Sequence, residues 1–441
     1  MASKPLRSEP LLAWLPRQRW FGAKSRGIQG VQFDDSLPVA DAELHILRVT
    51  LDDGDVQQYA VPLSAGDEPA DALDDPAVTR ALVALARDGG RIAGRVAALA
   101  GHRTRAFPGT LDPAPPVRKV GGEQSNTSLV VGETLIVKYF RRVATGVNPD
   151  LEITRYLTEA AAFPHTPALA GWLTYGEGDE AATLAVIQHL VRGAGDGWQW
   201  MLGALGDDAR RPRTLPALTR LGEATAALHL ALAGAPADMP DLAPEPIGDA
   251  DVARWTQDVA AQLATARAAT PRAADVPAIA ADQVARAFSA LRGRVKCRHH
   301  GDFHFGQTLY AEASGTWTLI DFEGEPLRPL AERRRKHSPL RDVAGMLRSI
   351  AYAAETVRAG GAAGWIDAWE RDGRRAFVDG YLATAGRAPF LPEDPARTAA
   401  VIAAFELEKA AYEVVYEANN RPDWVKIPLA GLLRASSAVA A

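Results

Sequence analysis

Two short stretches hold most of the residues that could do chemistry: HGDFHFGQ at 300–307 and IDFEGEP at 320–326. Each sets an aspartate among bulky apolar neighbours, as suits a carboxylate held in one place. Phosphoryl transfer uses such a pair, one carboxylate to orient the attacking hydroxyl and another, beside a neutral oxygen, to ligate magnesium. Asp302 is the candidate base, Gln307 the amide ligand, and Asp321 the second ligand at the end of the strand-like run TLID. The same chemistry needs a lysine for the nucleotide phosphates and donors laid over them. Lys138 ends the run LIVK, and Glu152 follows on a helical segment from which it can pair with that lysine. GGEQSNTS at 121–128 offers backbone amides and the side chains of Ser125, Asn126 and Thr127, although such a turn is by itself an ordinary hairpin loop.

These residues need a small sheet and a larger helical body to position them. The first hundred residues read as strands with turn signals, GVQFDDSL and AELHILRVTLDDGDVQQYAVPL, the second with an Asp-Gly hairpin signature. The proline-dense PGTLDPAPPVRKV at 108–120 disfavours helix and suggests a boundary near 110. Beyond it, LVV and LIVKYF flank Gly132 and Glu133 as a hairpin. The segment NPDLEITRYLTEAA then reads as a helix, with Asn148 as N-cap, Pro149 in the first position and Asp150 and Glu152 in the first turn. WLTYG and TLAVIQHLV complete a sheet, and after about residue 195 alanine-rich helical sequence dominates. The expectation is an α+β protein in three parts, 1–110, 111–195 and 196–441.

Composition narrows the partners. The 441 residues carry 49 Lys and Arg against 54 Asp and Glu, a formal charge of −5, so no basic field recommends nucleic acid or an anionic membrane. No segment approaches the length of an uninterrupted apolar membrane span. Small soluble partners are expected. Cys297 is the one cysteine, which excludes an intramolecular disulfide and a cysteine-cluster metal site and fits a reducing compartment. The opening MASKPLRSEPLLAWLPRQRWF lacks a secretory pattern, and a cytoplasmic protein is expected. Neither GxSxG nor HExxH occurs, which sets aside serine hydrolases and zinc peptidases. A kinase-like binding protein without catalysis would be expected to lose Asp302, Asp321 or Lys138; the chain keeps all three.

Taken together, HGDFHFGQ, IDFEGEP, the run LAERRRKHSPLRDVAGMLRS at 330–349 and YEVVYEANNRPDW at 412–424 resemble the actinobacterial maltokinases and related sugar kinases, including the glucosamine kinases. WLPRQRWFGAKSR at 14–26 resembles the start of that family's N-terminal cap, so the likeness runs over nearly the whole chain. The resemblance implies a bilobal protein-kinase-like fold of the aminoglycoside phosphotransferase type with an added β-rich cap. It also implies ATP as donor, Mg2+ and a sugar hydroxyl as acceptor. Position by position, Asp302 matches the base, Gln307 and Asp321 the metal ligands, and Lys138 and Glu152 the phosphate lysine and its partner. Glu323 stands where protein kinases carry the glycine of their DFG triplet and becomes a further candidate near metal or sugar. His189 and Leu190 fall where the linker between lobes meets adenine.

Several residues have plainer readings. His300 is expected in the core, His304 in the site, and Asp342 as an anchor of the catalytic loop. The basic run Arg333 to Lys336 is read as a solvated face. Acceptor residues are sought on FELEKAAYEVVYEANN at 405–420, where Glu406, Glu413 and Glu417 share one helix face while Leu407, Ala411 and Val414 face inward. Tyr412, Asn420, Arg421, Asp423 and Trp424 add hydrogen-bond partners and a ring face, as a sugar site requires. The maltokinase pattern has a basic residue where Asn419 and Asn420 stand and glycine where Asp423 stands. A more acidic segment suits an ammonium-bearing sugar, so glucosamine phosphorylated on its 6-hydroxyl is expected, with maltose 1-phosphorylation as the alternative.

Overall fold

The structure is a computed structural model that describes residues 8–121, 125–277, 279–325, 328–361 and 364–440. Residues 122–124 of the GGEQSNTS turn and Pro326 of IDFEGEP lie outside the described residues. The chain folds as two compact units, one of residues up to 162 with 167–192, the other of 163–166 with 193 onward. The second unit begins three residues before the expected boundary at 196.

The first unit starts with an antiparallel meander of strands Ile28–Val39, Ala42–Leu51 and Val56–Ser64, edged by Arg142–Val143. The LDDGDV turn joins the last two long strands as its Asp-Gly signature requires, with Gly54 at φ 81° and Thr50 opposite Val56. Strand Ala42–Leu51 is buried on both faces. Leu44 and Ile46 point into one core, shared with Leu129, Val137 and Leu173, while Leu47, Val49 and Leu51 point into another closed by Leu11, Leu15, Trp20 and Phe21.

A second antiparallel sheet runs in the order Arg91–Ala93, Ala98–Arg103, Leu169–Tyr175, Ala182–His189, Leu135–Phe140, Asn126–Val131, Val117–Lys119. It crosses the boundary expected near residue 110. Strand Ala98–Arg103 pairs with Leu169–Tyr175, and the rings of His102 and Trp172 stack across the pair at 5.0 Å. The alanine-rich sequence concealed this strand, because ALAGHR has little of the β-branched and aromatic character that marks one. Helix Pro76–Asp88 lies so close that a Cβ on Gly101 would come within 2.1 Å of the Leu85 carbonyl oxygen. Helix Pro149–Glu159 begins as expected, the Asn148 side chain accepting from the Asp150 amide at 2.9 Å.

The second unit is mainly helical around Pro395–Asn420, which packs against Asp249–Ala269, Leu340–Ala359 and Lys426–Ala440. Asp394 caps that helix and Pro422 follows its end. Leu407, Ala411 and Val414 are buried as expected, and Phe405 with them, each large apolar side chain contributing roughly 1.5–3 kcal/mol. Glu406 and Glu417 are buried too, so the helix is no amphipathic surface element. A three-stranded sheet of Gly195–Asp196, Thr308–Ala311 and Thr316–Leu319 supports the residues between 300 and 325. Among the described residues no helix is long and apolar enough to cross a membrane.

Candidate active site

In the first unit, Lys138 projects from strand Leu135–Phe140, and its ammonium lies 3.2 Å from the carboxylate of Asp150, a residue 1 % exposed in the first turn of helix Pro149–Glu159. The sequence reading named Glu152, half-buried on the same helix, as the partner and did not name Asp150 in that role. Ser125 is exposed and Asn126 half-buried where the following strand begins. Thr127 departs from expectation: its hydroxyl is buried and accepts from Arg141 Nε at 2.9 Å. A buried guanidinium needs acceptors, and Thr127 supplies one, so its side chain braces the sheet instead of facing a phosphate. The amide of His189 donates to Ala168 O at 3.0 Å and that of Leu190 to Thr134 O at 2.8 Å.

In the second unit, one carboxylate sets the loop that carries Asp302. Asp342 accepts from the amides of His300 at 2.7 Å and Gly301 at 2.9 Å, and lies 3.1 Å from His229 Nε2. Burial would raise its pKa; His299 and the His229 hydrogen bond outweigh that and hold it well below the usual carboxylate range. Gly301 sits at φ 86°, where a Cβ would press within 3.2 Å of Gly324 Cα. This is the anchoring role expected of Asp342. His300 is a core histidine, as expected, its ring nitrogens engaging Ile320 O at 2.9 Å and the Asp302 amide at 3.4 Å.

Asp302 itself remains partly exposed, its side chain 22 % accessible. Its ion-pair partner is Lys409, whose ammonium stands 3.2 Å from Asp302 Oδ1 and 2.8 Å from Glu325 Oε1. Burial would lower the lysine; Glu325 and Asp302 outweigh it and hold the ammonium above its usual range. Burial likewise would raise Glu325, yet Lys409, Arg341 and Arg328 hold it well below the usual carboxylate range. The sequence reading missed both Lys409 and Glu325. Helix spacing puts Lys409 on one face with Glu406 and Glu413, at i, i+3 and i+7, but nothing in it says that this face meets Asp302 or Glu325.

His304 Nδ1 accepts from the Gly306 amide at 3.0 Å and caps the turn Phe305–Gln307; burial holds the imidazole below its usual range, so it is neutral at pH 7. The Ile320 amide donates to the Gln307 carbonyl at 3.1 Å, which ties the backbone at Gln307 to the residue before Asp321. Asp321 is a non-glycine residue at φ 68°, a costly conformation that the surrounding loop imposes. Glu323 lies 3.7 Å from Arg333, while its carbonyl accepts from the same guanidinium at 3.1 Å. Arg333 is thus not the solvated residue that its basic run suggested. Among the described residues no group of three or more His, Cys, Asp or Glu side chains is assembled around a metal position. An amide oxygen and one or two carboxylates nevertheless suit magnesium, which keeps several waters and takes phosphate oxygens for the rest of its shell.

The expected acceptor carboxylates are already partnered inside the unit. Glu406 makes a two-pronged pair with Arg374 at 2.8 Å on each oxygen. Glu413 pairs with buried Arg348 at 2.8 Å; burial raises its carboxyl above the usual range, with Arg348 opposing. Glu417, 1 % exposed, receives Tyr352 Oη at 3.0 Å and Arg421 at 2.7 and 2.9 Å. A buried carboxylate must be paired, so Glu417 is a structural anchor and not an open receptor for an ammonium group. Arg421 is committed to it and lies 5.0 Å over the Trp424 ring, which in turn stacks on Tyr352 at 6.4 Å. Asn420 turns its amide to the Tyr416 carbonyl at 2.8 Å. Tyr412 stands half-buried with the Lys409 ammonium 5.2 Å from its ring, and Asp423 is the exposed carboxylate of the segment.

Comparison with known proteins identifies the family. Residues 14–94 match the maltokinase N-terminal cap domain, and residues 116–399, more than half of the chain, match the phosphotransferase enzyme family. The glucosamine kinase of Streptacidiphilus jiangxiensis is 29% identical over 397 residues, 85% of each chain. The glucosamine kinase of Mycolicibacterium smegmatis is 31% identical over 338 residues, 71% of this chain and 78% of that one. A solved glucosamine kinase in complex with glucosamine, ADP and inorganic phosphate superposes with a TM-score of 0.70 at 24% identity, covering 98% of this chain and 99% of the other. With a braced loop holding Asp302 beside Lys409, and with these matches along its length, the chain belongs to the phosphotransferase enzyme family and carries the maltokinase N-terminal cap ahead of it.

Proposed function

We propose that this phosphotransferase is an ATP-dependent glucosamine kinase forming glucosamine 6-phosphate. The observation that carries the reading is its likeness to glucosamine kinases over most of the chain, joined to a loop that keeps Asp302 accessible while Asp342 pins the two residues before it. Asp302 accepts the hydrogen bond of the acceptor hydroxyl and aims its oxygen. A bond forms from that oxygen to the γ-phosphorus of ATP as the bond from phosphorus to the ADP oxygen breaks, and the hydroxyl proton passes to Asp302. Lys138, steadied by Asp150, neutralises phosphate oxygens. Gln307 and Asp321, with Glu323 beside them, would hold Mg2+, which when bound spreads the charge on the transferring group.

For the sugar, Tyr412 and Trp424 offer ring faces, and His304, Asn420 and Asp423 offer polar contacts. Asp423 is the carboxylate assigned to the ammonium; Glu413, Glu417 and Arg421 are held in ion pairs of their own. Use of ATP and a lone buried Cys297 fit a cytoplasmic setting. The test is catalytic efficiency toward glucosamine, N-acetylglucosamine, glucose and maltose, with the phosphorylated position read by NMR. Glucosamine is expected to lead, and its acetylated form to be rejected by at least tenfold, because acetylation removes the charge. The cap match favours one other reading, and preference for maltose would return the protein to the maltokinases.

A further inference from the structure

We propose that Lys409 is a positioning residue for the transfer step, holding the Asp302 carboxylate in the orientation that receives the acceptor hydroxyl. The proposal rests on Asp302 being the base, as in the reading above. Its support is the charge arrangement around the lysine. Among the described residues, Glu325 is already matched by Arg328, with which it is in hydrogen-bond contact, and by Arg341 at 3.9 Å. Arg341 also holds Glu408 at 3.0 Å. Arg328 reaches Glu408 at 3.9 Å and Glu332 at 3.7 Å as well, so Glu325 is held from several sides and gives the lysine a fixed anchor. The ammonium of Lys409 uses Glu325 as an anchor at 2.8 Å and directs another N–H to Asp302 at 3.2 Å.

The backbone alone does not fix the Asp302 side chain. Asp342 pins His300 and Gly301, and among the described residues the Asp302 amide makes a long contact, 3.4 Å, to His300 Nδ1. Between that pinned loop and the carboxylate oxygens stands the side-chain torsion, which the lysine restrains through Oδ1. Because Lys409 lies on helix Pro395–Asn420, one turn before Glu413 and beside Tyr412, the same helix that carries the candidate acceptor residues also aims the base. Lys409 touches neither donor nor acceptor in this role, so its removal acts on the rate and not on ground-state binding.

The test compares Lys409→Met, Lys409→Arg and Lys409→Ala with the wild type on whichever panel sugar the wild type phosphorylates. Lys409→Met is expected to lower kcat about ten- to hundredfold with KM for ATP and sugar within about twofold. Lys409→Arg is expected to recover part of the loss, and added methylammonium or ethylammonium to raise kcat of Lys409→Ala saturably, since the lysine side chain is 23 % accessible. A merely structural ion pair would give neither the KM-against-kcat split nor amine rescue. A kcat for Lys409→Met within about twofold of wild type, or equal losses in all three variants with no amine rescue, would overturn the proposal. A second arm needs no substrate: in crystals of unliganded Lys409→Met the Asp302 carboxylate is expected in a different rotamer, and an unmoved carboxylate counts against the role. Failure of the wild type on glucosamine alone refutes the substrate reading and leaves both arms able to decide the role of Lys409.

Discussion

Asp342 holds the His300 amide at 2.7 Å from a position 42 residues later in the chain, and both residues are sealed from solvent. The braced loop is therefore a tertiary product, built by helix Leu340–Ala359. Asp342→Ala strands two amides and His229 without an acceptor and is expected to destabilise the second unit by about 3–5 kcal/mol, read by denaturant unfolding. The sign with pH follows from its depressed pKa. The contribution is complete above the unfolded value near 4 and is lost as pH falls toward the folded one. Asp342→Asn should accordingly flatten the acid limb of stability below about pH 4.

A second pH effect comes from His299, which burial pushes down to about 4. The unfolded chain takes up this proton near pH 6.5 and the folded chain does not. Stability is expected to fall as pH drops from about 6.5 to about 4, by roughly 2–3 kcal/mol for this one residue. Melting temperatures of wild type and His299→Gln across that range check it, the variant losing part of the slope.

Asp302→Asn and Lys138→Met are expected to fail differently. Loss of the base should lower kcat about 10²–10⁴-fold with nucleotide binding near normal. Loss of the lysine should weaken ATP binding, seen by calorimetry, and also leave Asp150 as a buried charge without its ammonium. Equal ATP affinity in Lys138→Met and wild type would remove Lys138 from the phosphate site.

Glu417 separates anchor from receptor. Glu417→Gln is expected to lower the melting temperature, since it weakens the contacts to Arg421 and Tyr352, while shifting KM for the sugar less than about threefold. An unchanged melting temperature with a tenfold rise in sugar KM would restore it to the acceptor set.

The sequence was most informative where chemistry and local structure coincide. The hairpin around Gly132, the Asn148 cap and the family itself were legible, because motif spacing, turn residues and capping act over a few positions; the anchoring role of Asp342 was legible only through the motif that carries it. Pairings between distant residues were not. Nothing within a few positions of Glu417 says that Tyr352 will reach it, and nothing near Asp302 points to a lysine 107 residues away. The acidic face of helix Pro395–Asn420 was read correctly as a set of carboxylates and wrongly as an open one, because the arginines that fill it come from helices elsewhere in the chain. Strand Ala98–Arg103 escaped for a related reason, its pairing depending on a partner about 70 residues on.

That strand also governs how the protein can be cut. A fragment beginning at residue 111 would keep Leu169–Tyr175 but lose the strand beside it, leaving a row of bare peptide groups along an apolar sheet edge, a template for aggregation. The cap and the nucleotide half are thus unsuited to separate expression at the proline-rich connector. Limited proteolysis there should nick the chain without releasing a soluble piece, the two parts eluting together until denaturant is added.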